Sequence, residues 1–467
     1  VNLDKIAAES LCYDPIHGYV PFVSEGNSPD EVTERTIIDH PWLQRMRQIH
    51  QLQTAWWVYP TAEHTRFQHI LGVMHLASRL IDQLYPSLKE VCPDTPSRGH
   101  VETLLRMAGL LHDVGHGPFG HFFDSHFLQH FNLTHESLGA HIIQHQLGDL
   151  LAQLRRNPYS QLEDHERIDP EQLAWMIQRP KPGDQAERPQ WLSFLRSLLS
   201  GIYTIDNMDF VLRDAYMTGY SQQSYDLERL IRYSFFTEKG LTIHERGMAA
   251  LIRFMNVRAE LFQTVYFHRE VMAIDKTLED LFAESRPWMF PGNPIENLAA
   301  YQGFTEFSLL VDAARWHQSD DPHQAEVGRK WKDLLNRNIP WRFICERSLR
   351  FDEGESQEMT IFRNESFALT ALREVLPTEL KETPLKIALN RTVFRPNTRG
   401  PSDHQNFMYD AAQKKIKELT TDKIFRSLPV SRVVCRIYAQ DASLAPQLAA
   451  ALDRLVGNHA VDDLTNM

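Results

Sequence analysis

The sequence predicts a mainly α-helical protein with a small C-terminal α+β part. Three observations carry that expectation. From about residue 65 to 280, apolar residues recur at helical spacing in one segment after another. Past about 290 the texture changes to short β-branched runs, each followed by a helical one. At 467 residues, 42% hydrophobic and 24% charged, the chain has an ordinary globular composition and can bury a large core. The expected division is a helical domain over residues 1–290 and an α+β region over 291–467.

The elements follow in order. "YDPIHGYVPFV" reads as a strand or loop, then "SEGNSPDE" as a polar connection. "PWLQRMRQIHQL" predicts a helix. "TRFQHILGVMHLASRLIDQL", "VETLLRMAGLLH", "WLSFLRSLLSGIY" and "IDNMDFVLRDAYMTG" predict further helices, and "MAALIRFMNVRAELFQTVYFHREVMAIDKTLEDLF" predicts one long helix. "YSFFTEKGLTIHE" predicts a hairpin on a Lys-Gly turn. "RNPYSQLEDHERIDPEQ" and "RPKPGDQAERPQ" are proline-bearing loops. In the C-terminal part "EMTIFRNESFALTALREVL" and "SRVVCRIYAQDASLAPQLAAALDRL" each predict a strand then a helix, and "PLKIALNRTVFRP" adds a strand.

Composition narrows function. A formal net charge of −12 without a Lys/Arg-rich tail argues against sequence-independent nucleic-acid binding. A local basic pocket for a small anion stays compatible with it. The four cysteines are scattered, with no C-x-x-C pair, which fits a reducing compartment and neither a zinc ribbon nor a disulfide framework. No apolar run reaches membrane-span length and the N-terminus lacks a signal-peptide pattern. The expectation is a cytoplasmic protein with no membrane partner.

One stretch, "LLHDVGHGPFGH", concentrates chemistry: three histidines, an aspartate and three glycines follow an apolar helix end. Val101, Leu104, Leu105, Ala108 and Leu111 set the helical face, and Gly115 reads as the left-handed residue that ends it. His112 and Asp113 are adjacent at that end, where two side chains can converge. A neutral imidazole with a carboxylate suits a borderline divalent metal. Upstream, His69 lies among apolar Phe67, Ile70, Leu71 and Met74, hence on the buried side of its helix. Alone, it is an ordinary core histidine. Arg66 shares its face, and a buried-side arginine beside a buried-side histidine suits an anion next to a metal. "TIDNMDFVLRDAYMTGY" adds Asp206, Asp209 and Asp214, of which Asp206, like Thr204, also fits a helix cap.

His69, His112–Asp113 and Asp206 form an H…HD…D pattern. "DPIHG", "RFQHILGV", "HDVGHGPFGH", "THE" and D-x-x-D-F-x-x-R-D-x-x-x-x-G occur in order around it. On these motifs the chain resembles the HD-domain metal phosphohydrolases. Within them it resembles the deoxynucleoside triphosphate triphosphohydrolase branch, which includes bacterial dGTPases and the vertebrate SAM-and-HD-domain dNTPase. The resemblance spans about residues 12–280, with a weaker echo in "RVVCRIYAQDASL".

The resemblance implies an HD-domain helical core over the first domain and a set of roles. His69, His112, Asp113 and Asp206 match the metal ligands. His116, His121, Asp124, His135 and Glu136 match residues around the scissile phosphate. His121 and Asp124 are i, i+3, so the carboxylate can orient or charge that imidazole, and His121 is the expected acid for the leaving oxygen. Gln51, Leu52, Arg66, Asp214, Arg258 and Tyr266 match substrate contacts. Asp39, Gln44 and Arg47 match a guanine-nucleotide activator site at subunit interfaces in some members; as residues they fit a solvated helix face equally well. The two-His, two-Asp ligand set is too nitrogen-rich for a dedicated Mg²⁺ site and lacks thiolate, which favours Fe or Mn, with Mg, Ni and Zn as alternatives. A homo-oligomer is expected, since "IIDHPWLQRMR" resembles an interface segment of the family and closed symmetric assemblies are the default.

The substrate shell departs from the family. Phe210 stands where a tyrosine is usual, Asn207 and Phe267 stand where the vertebrate relative has lysine and glutamine, and "QTAWW" replaces a Gly-rich run. The resemblance implies hydrolysis of deoxynucleoside triphosphates to deoxynucleoside and triphosphate; the intact ligand set points to phosphate-ester hydrolysis, and the altered shell leaves the sugar and base open. The alternative is a same-fold phosphohydrolase or nuclease on other nucleotides, modified nucleotides or single-stranded nucleic-acid ends. A non-catalytic nucleotide sensor ranks last, because no metal ligand is lost.

Overall fold

A computed structural model describes residues 8–179, 188–351, 361–393, 407–427 and 431–456. The N-terminal motif forms a hairpin. Strands β1 (Glu9–Asp14) and β2 (Gly18–Val23) pair antiparallel. Asp14 closes the turn by accepting the backbone N–H groups of Ile16 and His17, each at 2.9 Å. The helix expected over "PWLQRMRQIHQL" is shorter. It runs from Pro41 to Gln44, tightens to a 3₁₀ turn over Arg45–Gln48, and ends at an extended Ile49. The cause is tertiary: His50 is held by buried Glu306 through its ring at 2.8 Å, which draws the chain off the helix axis. That departure carries residues 51–55 to the site described below.

The centre of the fold is the helix Arg66–Val91, whose Ile70, Val73, Met74, Leu76, Ala77, Leu80, Ile81 and Leu84 are fully buried. It packs against the helices Arg98–Leu111 and Ile205–Met217. Gly72 permits the second contact, because a Cβ there would sit 2.0 Å from Asp209 Oδ1. Short helices His121–His126, His135–Gln146 and Pro170–Ile177 complete the wall around the HD turn. The last starts inside the expected "RIDPEQ" loop, with Asp169 as its cap and Pro170 at its first position. Most of the other expected loop, residues 180–187, lies outside the described residues.

Gly115 is not the left-handed residue. Positive φ falls instead on Phe119 and Gly120, at 62° and 55°. Gly115 is required by proximity instead: a Cβ there would lie 2.0 Å from the His135 carbonyl oxygen. The long helix expected from Met248 onward is also interrupted. It runs to Leu261, passes through a π-helical segment over Phe262–Tyr266, and restarts at Arg269 with His268 as N-cap. Such segments accommodate an extra residue and re-aim side chains, here Phe262 and Tyr266.

Three helices beyond residue 290 had no counterpart in the sequence reading: Leu298–Gly303, Glu306–Arg315 and Pro322–Leu335. They bury Tyr301, Phe304, Leu309, Trp316 and Trp331 in the same core as the central helix. A separate core begins with an antiparallel sheet of β5 (Arg342–Phe351), β9 (Ser431–Ala439) and β6 (Leu385–Val393), in that spatial order. Helices Glu365–Val375 and Ala445–Val456 cover one face. The other packs through Ala388, Val434 and Tyr438 onto Phe267 and Ala273 of the helical body. The strand expected at "EMTIF" is a 3₁₀ turn over Ile361–Arg363, and its first residues lie outside the described ones. The predicted hairpin is present as β3 (Ser234–Thr237) and β4 (Gly240–His244), and β7 (Phe407–Asp410) and β8 (Lys415–Glu418) extend its sheet. The molecule is thus mainly α with small sheets, and among its described residues no helix is long and apolar enough to cross a membrane.

Candidate active site

Three helix ends meet at one point. His69 comes from the first turn of the central helix, His112 and Asp113 from just past Leu111, and Asp206 from the first turn of Ile205–Met217. His69 Nε2 lies 3.3 Å from His112 Nε2 and 3.1 Å from Asp206 Oδ1, and His112 Nε2 is 3.7 Å from Asp206 Oδ1. Asp113 Oδ1 is 3.3 Å from His112 Nε2, and its Oδ2 is 3.9 Å from His69 Nε2. Thr204 is the helix cap, accepting the Asn207 N–H at 3.1 Å, so Asp206 is free of that duty.

The remaining imidazole nitrogens are committed. His69 Nδ1 donates to Asp209 at 2.7 Å and His112 Nδ1 donates to the Gly109 carbonyl at 2.8 Å, tautomers that follow from those acceptors. Both Nε2 atoms therefore face the Asp206 carboxylate, the orientation metal-ligating histidines adopt once Nε2 is deprotonated. Burial alone would lower the His69 pKa, but Asp206 and Asp209 outweigh it and hold it at about 10. Burial would raise Asp113, yet Arg66, His112 and His116 keep it well below the usual carboxylate range. Arg66 Nη1 donates to Asp113 Oδ2 at 2.5 Å. The donor set, with its carboxylates ionised and its nitrogens pre-aimed, fits a divalent cation.

A second cluster stands beside the first. His116, His121, Asp124 and His135 converge. The sequence pairs Asp124 with His121, but its short hydrogen bond comes from His135 Nδ1, while His121 Nδ1 lies at 3.5 Å. Sharing a helix face does not decide the partner here. His135 enters from the start of a facing helix, and the His121 side chain turns toward open space, 64% exposed. The carboxylate does not charge His121 either: its pKa is lowered, because the crowding of the site mouth with His135 and Arg66 outweighs the distant Asp124. His116 is fully buried, stacks on His135 at 3.8 Å, and is held well below its usual pKa by burial, Arg66 and His135.

Both clusters open on one cavity of about 670 Å³. Of the predicted residues, Gln51, Leu52, Arg66, His112, Asp113, His121, His135, Glu136, Asp206, Phe210, Asp214, Arg258 and Tyr266 line it. His69, His116 and Asp124 stand behind that lining. Asp39, Gln44 and Arg47 are elsewhere: Asp39 pairs with Arg35 at 3.1 Å, while Arg47 bonds Gln44 at 2.8 Å and stacks on Phe67. Asn207 lines the cavity, whereas Phe267 packs under the β5–β9–β6 sheet. The lining carries five carboxylates (Asp113, Glu136, Asp206, Asp214, Asp275) against four guanidiniums (Arg66, Arg179, Arg258, Arg391). A phosphate ester enters such a cavity favourably only once a cation joins the carboxylates.

Several contributors carry roles that the sequence does not assign. Asp209 accepts from His17 Nε2 at 2.6 Å, His69 Nδ1 at 2.7 Å and Arg213 Nε at 2.8 Å, and Arg213 Nη1 donates to Asp14 at 2.7 Å. This buried network gives "DPIHG" its role of bracing a metal-facing imidazole. His64 bonds Asp214 at 2.8 Å, on the carboxylate that also accepts the Tyr266 hydroxyl. Arg179 pairs with Glu136 at 2.8 Å, and β6 brings Arg391 and Thr392 to the cavity.

Residues 66–177 match the HD domain family. The chain is 25% identical to the deoxynucleoside triphosphate triphosphohydrolase SAMHD1 of Bos taurus, over 97% of this chain and 78% of that one. It is 28% identical to the uncharacterized protein YwfO of Bacillus subtilis (strain 168), over 79% of this chain and 77% of the other. A SAMHD1 homolog of Dictyostelium discoideum matches at 24% over 97% and 81%. A hypothetical protein from Aquifex aeolicus of known crystal structure superposes with a TM-score of 0.67 at 22% identity, over 95% of this chain and all of that one, a likeness of fold.

Proposed function

This chain carries an HD domain and is a metal-dependent phosphohydrolase of that kind, and from this premise we propose that it cleaves deoxynucleoside triphosphates to deoxynucleoside and triphosphate. One observation carries the reading: a single cavity joins the His69–His112–Asp113–Asp206 centre and the histidine cluster to the Asp214–Tyr266 pair and Gln51–Leu52. The first group suits phosphorus chemistry and the second suits a sugar and base. A divalent cation at the centre, Fe or Mn by its ligand chemistry, supplies Lewis-acid charge and lowers the pKa of a coordinated water.

The chain's own residues do the rest. Arg66 lies beside the centre and Arg258 lines the same cavity, so both can neutralise phosphate oxygens as charge builds. Asp214, fixed by His64 and Tyr266, offers an acceptor to a sugar hydroxyl. The pKa of His121 is lowered in the free site, where Arg66 and His135 stand close by. The negative charge of a bound polyphosphate raises it again, so it can deliver a proton to the leaving sugar oxygen. His121→Ala is expected to keep its metal and lose roughly 10²-fold in kcat, the size of a lost general acid. An unchanged kcat with metal confirmed removes His121 from this role.

The deciding experiment offers the Mn²⁺-loaded protein dNTPs, NTPs, NMPs and oligonucleotides and identifies the phosphate released. Triphosphate from dNTPs supports the reading; orthophosphate or pyrophosphate overturns it. A second reading, another nucleotide as substrate, is favoured by Phe210, which lines the cavity without a hydroxyl. Its ring lies edge-on to Phe262 at 6.4 Å. Phe210→Tyr is expected to raise kcat/KM for dNTPs by about fivefold, the ~1 kcal/mol of one net hydrogen bond. Matched ribo- and deoxyribonucleotides measured in both proteins check it, and equal sugar selection in the two refutes it.

A further inference from the structure

We propose that the C-terminal sheet sets the register of the π-helical segment, with Asn390 and Arg436 as positioning residues that hold Tyr266 against Asp214. What Tyr266 and Asp214 then do for a substrate rests on the nucleotide reading above; the register itself does not.

One backbone bond closes the segment. It runs from the Phe267 N–H to the Phe262 carbonyl at 3.0 Å, five residues back rather than four. The sheet grips both of these residues. Asn390 of β6 donates through Nδ2 to the Phe262 carbonyl at 3.0 Å. The Thr392 hydroxyl donates to Asn390 Oδ1 at 3.0 Å, which decides the end of the amide that faces that carbonyl. Arg436 of β9 donates through Nη1 to the Phe267 carbonyl and lies over the Phe267 ring at 4.5 Å. Its Nε is held by Glu346 at 2.6 Å. Two residues on in β9, the Tyr438 hydroxyl donates to the Arg269 carbonyl at 3.0 Å, where the next helix restarts. Tyr59 holds the Thr264 carbonyl at 2.9 Å from the helical body, but not the closing bond.

Helical periodicity runs unbroken through these residues, so the local preference is a continuous α-helix. That helix would close the turn one residue earlier, at Tyr266. Side chains from there on would swing by up to about 100°, the angular step of one residue. The Tyr266 hydroxyl would then leave the Asp214 carboxylate it now donates to. The observed turn also sets Phe262 edge-on to Tyr266 at 4.8 Å and to Phe210 at 6.4 Å, and all three line the cavity.

Two variants test this. Asn390→Ala removes one grip at a half-buried position. Arg436→Lys keeps the charge beside Glu346 but loses the second arm of the fork. Hydrogen exchange of the 262–267 amides, followed by mass spectrometry in the metal-loaded protein, reads the register without any substrate. Both variants are expected to speed that exchange and to lower kcat/KM for the best-cleaved of the four dNTPs, each by about fivefold, the size of one lost net hydrogen bond. Metal content should stay native. In Tyr266→Phe, which already lacks the hydroxyl, neither change is expected to lower kcat/KM further, because all three act through one contact. Unchanged exchange over 262–267 in folded Asn390→Ala overturns the proposal. So does a full further loss in the Tyr266→Phe background, which a merely structural role would give. Faster exchange in a protein that cleaves no dNTP overturns the proposed reaction and supports the register assignment.

Discussion

Asp206→Ala is expected to lose its metal and with it about 10³-fold or more of turnover, since Lewis-acid stabilisation is worth several kcal/mol and each 1.4 kcal/mol is tenfold. The variant is informative because it should fold. The Asp206 side chain is one-third exposed, at 33%. Its removal strands no buried cation: His69 keeps Asp209 through Nδ1 at 2.7 Å, and His112 keeps Asp113 at 3.3 Å. Asp113→Ala is a poorer probe, because it would leave the buried Arg66 without its carboxylate. Metal uptake gives a second readout. The metal-free site holds a proton on His69 up to about pH 10, so loading at pH 8 should release one. The measurement is elemental analysis after dialysis, with proton release on reloading. Full occupancy in Asp206→Ala would refute the ligand assignment.

The ligands of this centre were legible because each carries its own local signal. His69 and Arg66 lie on the apolar side of a strongly periodic helix, and His112–Asp113 follow the end of another. Asp206 was legible only as one of two capping options, and the Thr204–Asn207 bond resolves it. The partner of Asp124 was not legible. The sequence shows i, i+3 neighbours on one helix, whereas His135 reaches the carboxylate from another. Helical periodicity likewise runs unbroken from Met248 to Phe282, so the π-helical break that aims Tyr266 at Asp214 leaves no trace in it. The helices beyond 290 carry local signals of their own. Thr305 and Ser308 form a capping box, and Asp321–Pro322 opens the next helix. Gly115 has the position of a turn residue in the sequence, but its constraint is the carbonyl of His135 coming close in space.

Asp209 is the residue whose importance was least visible, and its replacement carries the second large effect. It joins positions far apart in sequence: His17 lies 192 residues away and His69 lies 140. Its carboxylate is fully buried and held well below the usual range, because Arg213, His17 and His69 outweigh the cost of burial. Two consequences follow from removing it. Arg213, 1% exposed, would keep only Asp14 as a partner, and breaking a buried pair in this way costs about 3–5 kcal/mol. His69 would also lose the acceptor that fixes its tautomer and turns Nε2 toward Asp206, which weakens metal binding by roughly 10–100-fold. Asp209→Ala is expected to show both effects. Asp209→Asn separates them, since it keeps the volume beside Gly72 and an acceptor for His69 or Arg213, but not the charge. The Asn variant should fold with reduced stability and bind metal more weakly than the native protein. The pH dependence has a definite sign. A depressed folded-state pKa contributes stability that is present above the unfolded value of about 3.9 and disappears as pH falls toward the folded one. The stability gap between native protein and Asp209→Asn should therefore be full at pH 7 and shrink below about pH 4. Chemical denaturation across that range, with metal titration of the folded variant, checks both. Unchanged metal affinity in a folded Asp209→Asn would mean that the network holds the helices together and leaves the orientation of His69 to its other neighbours.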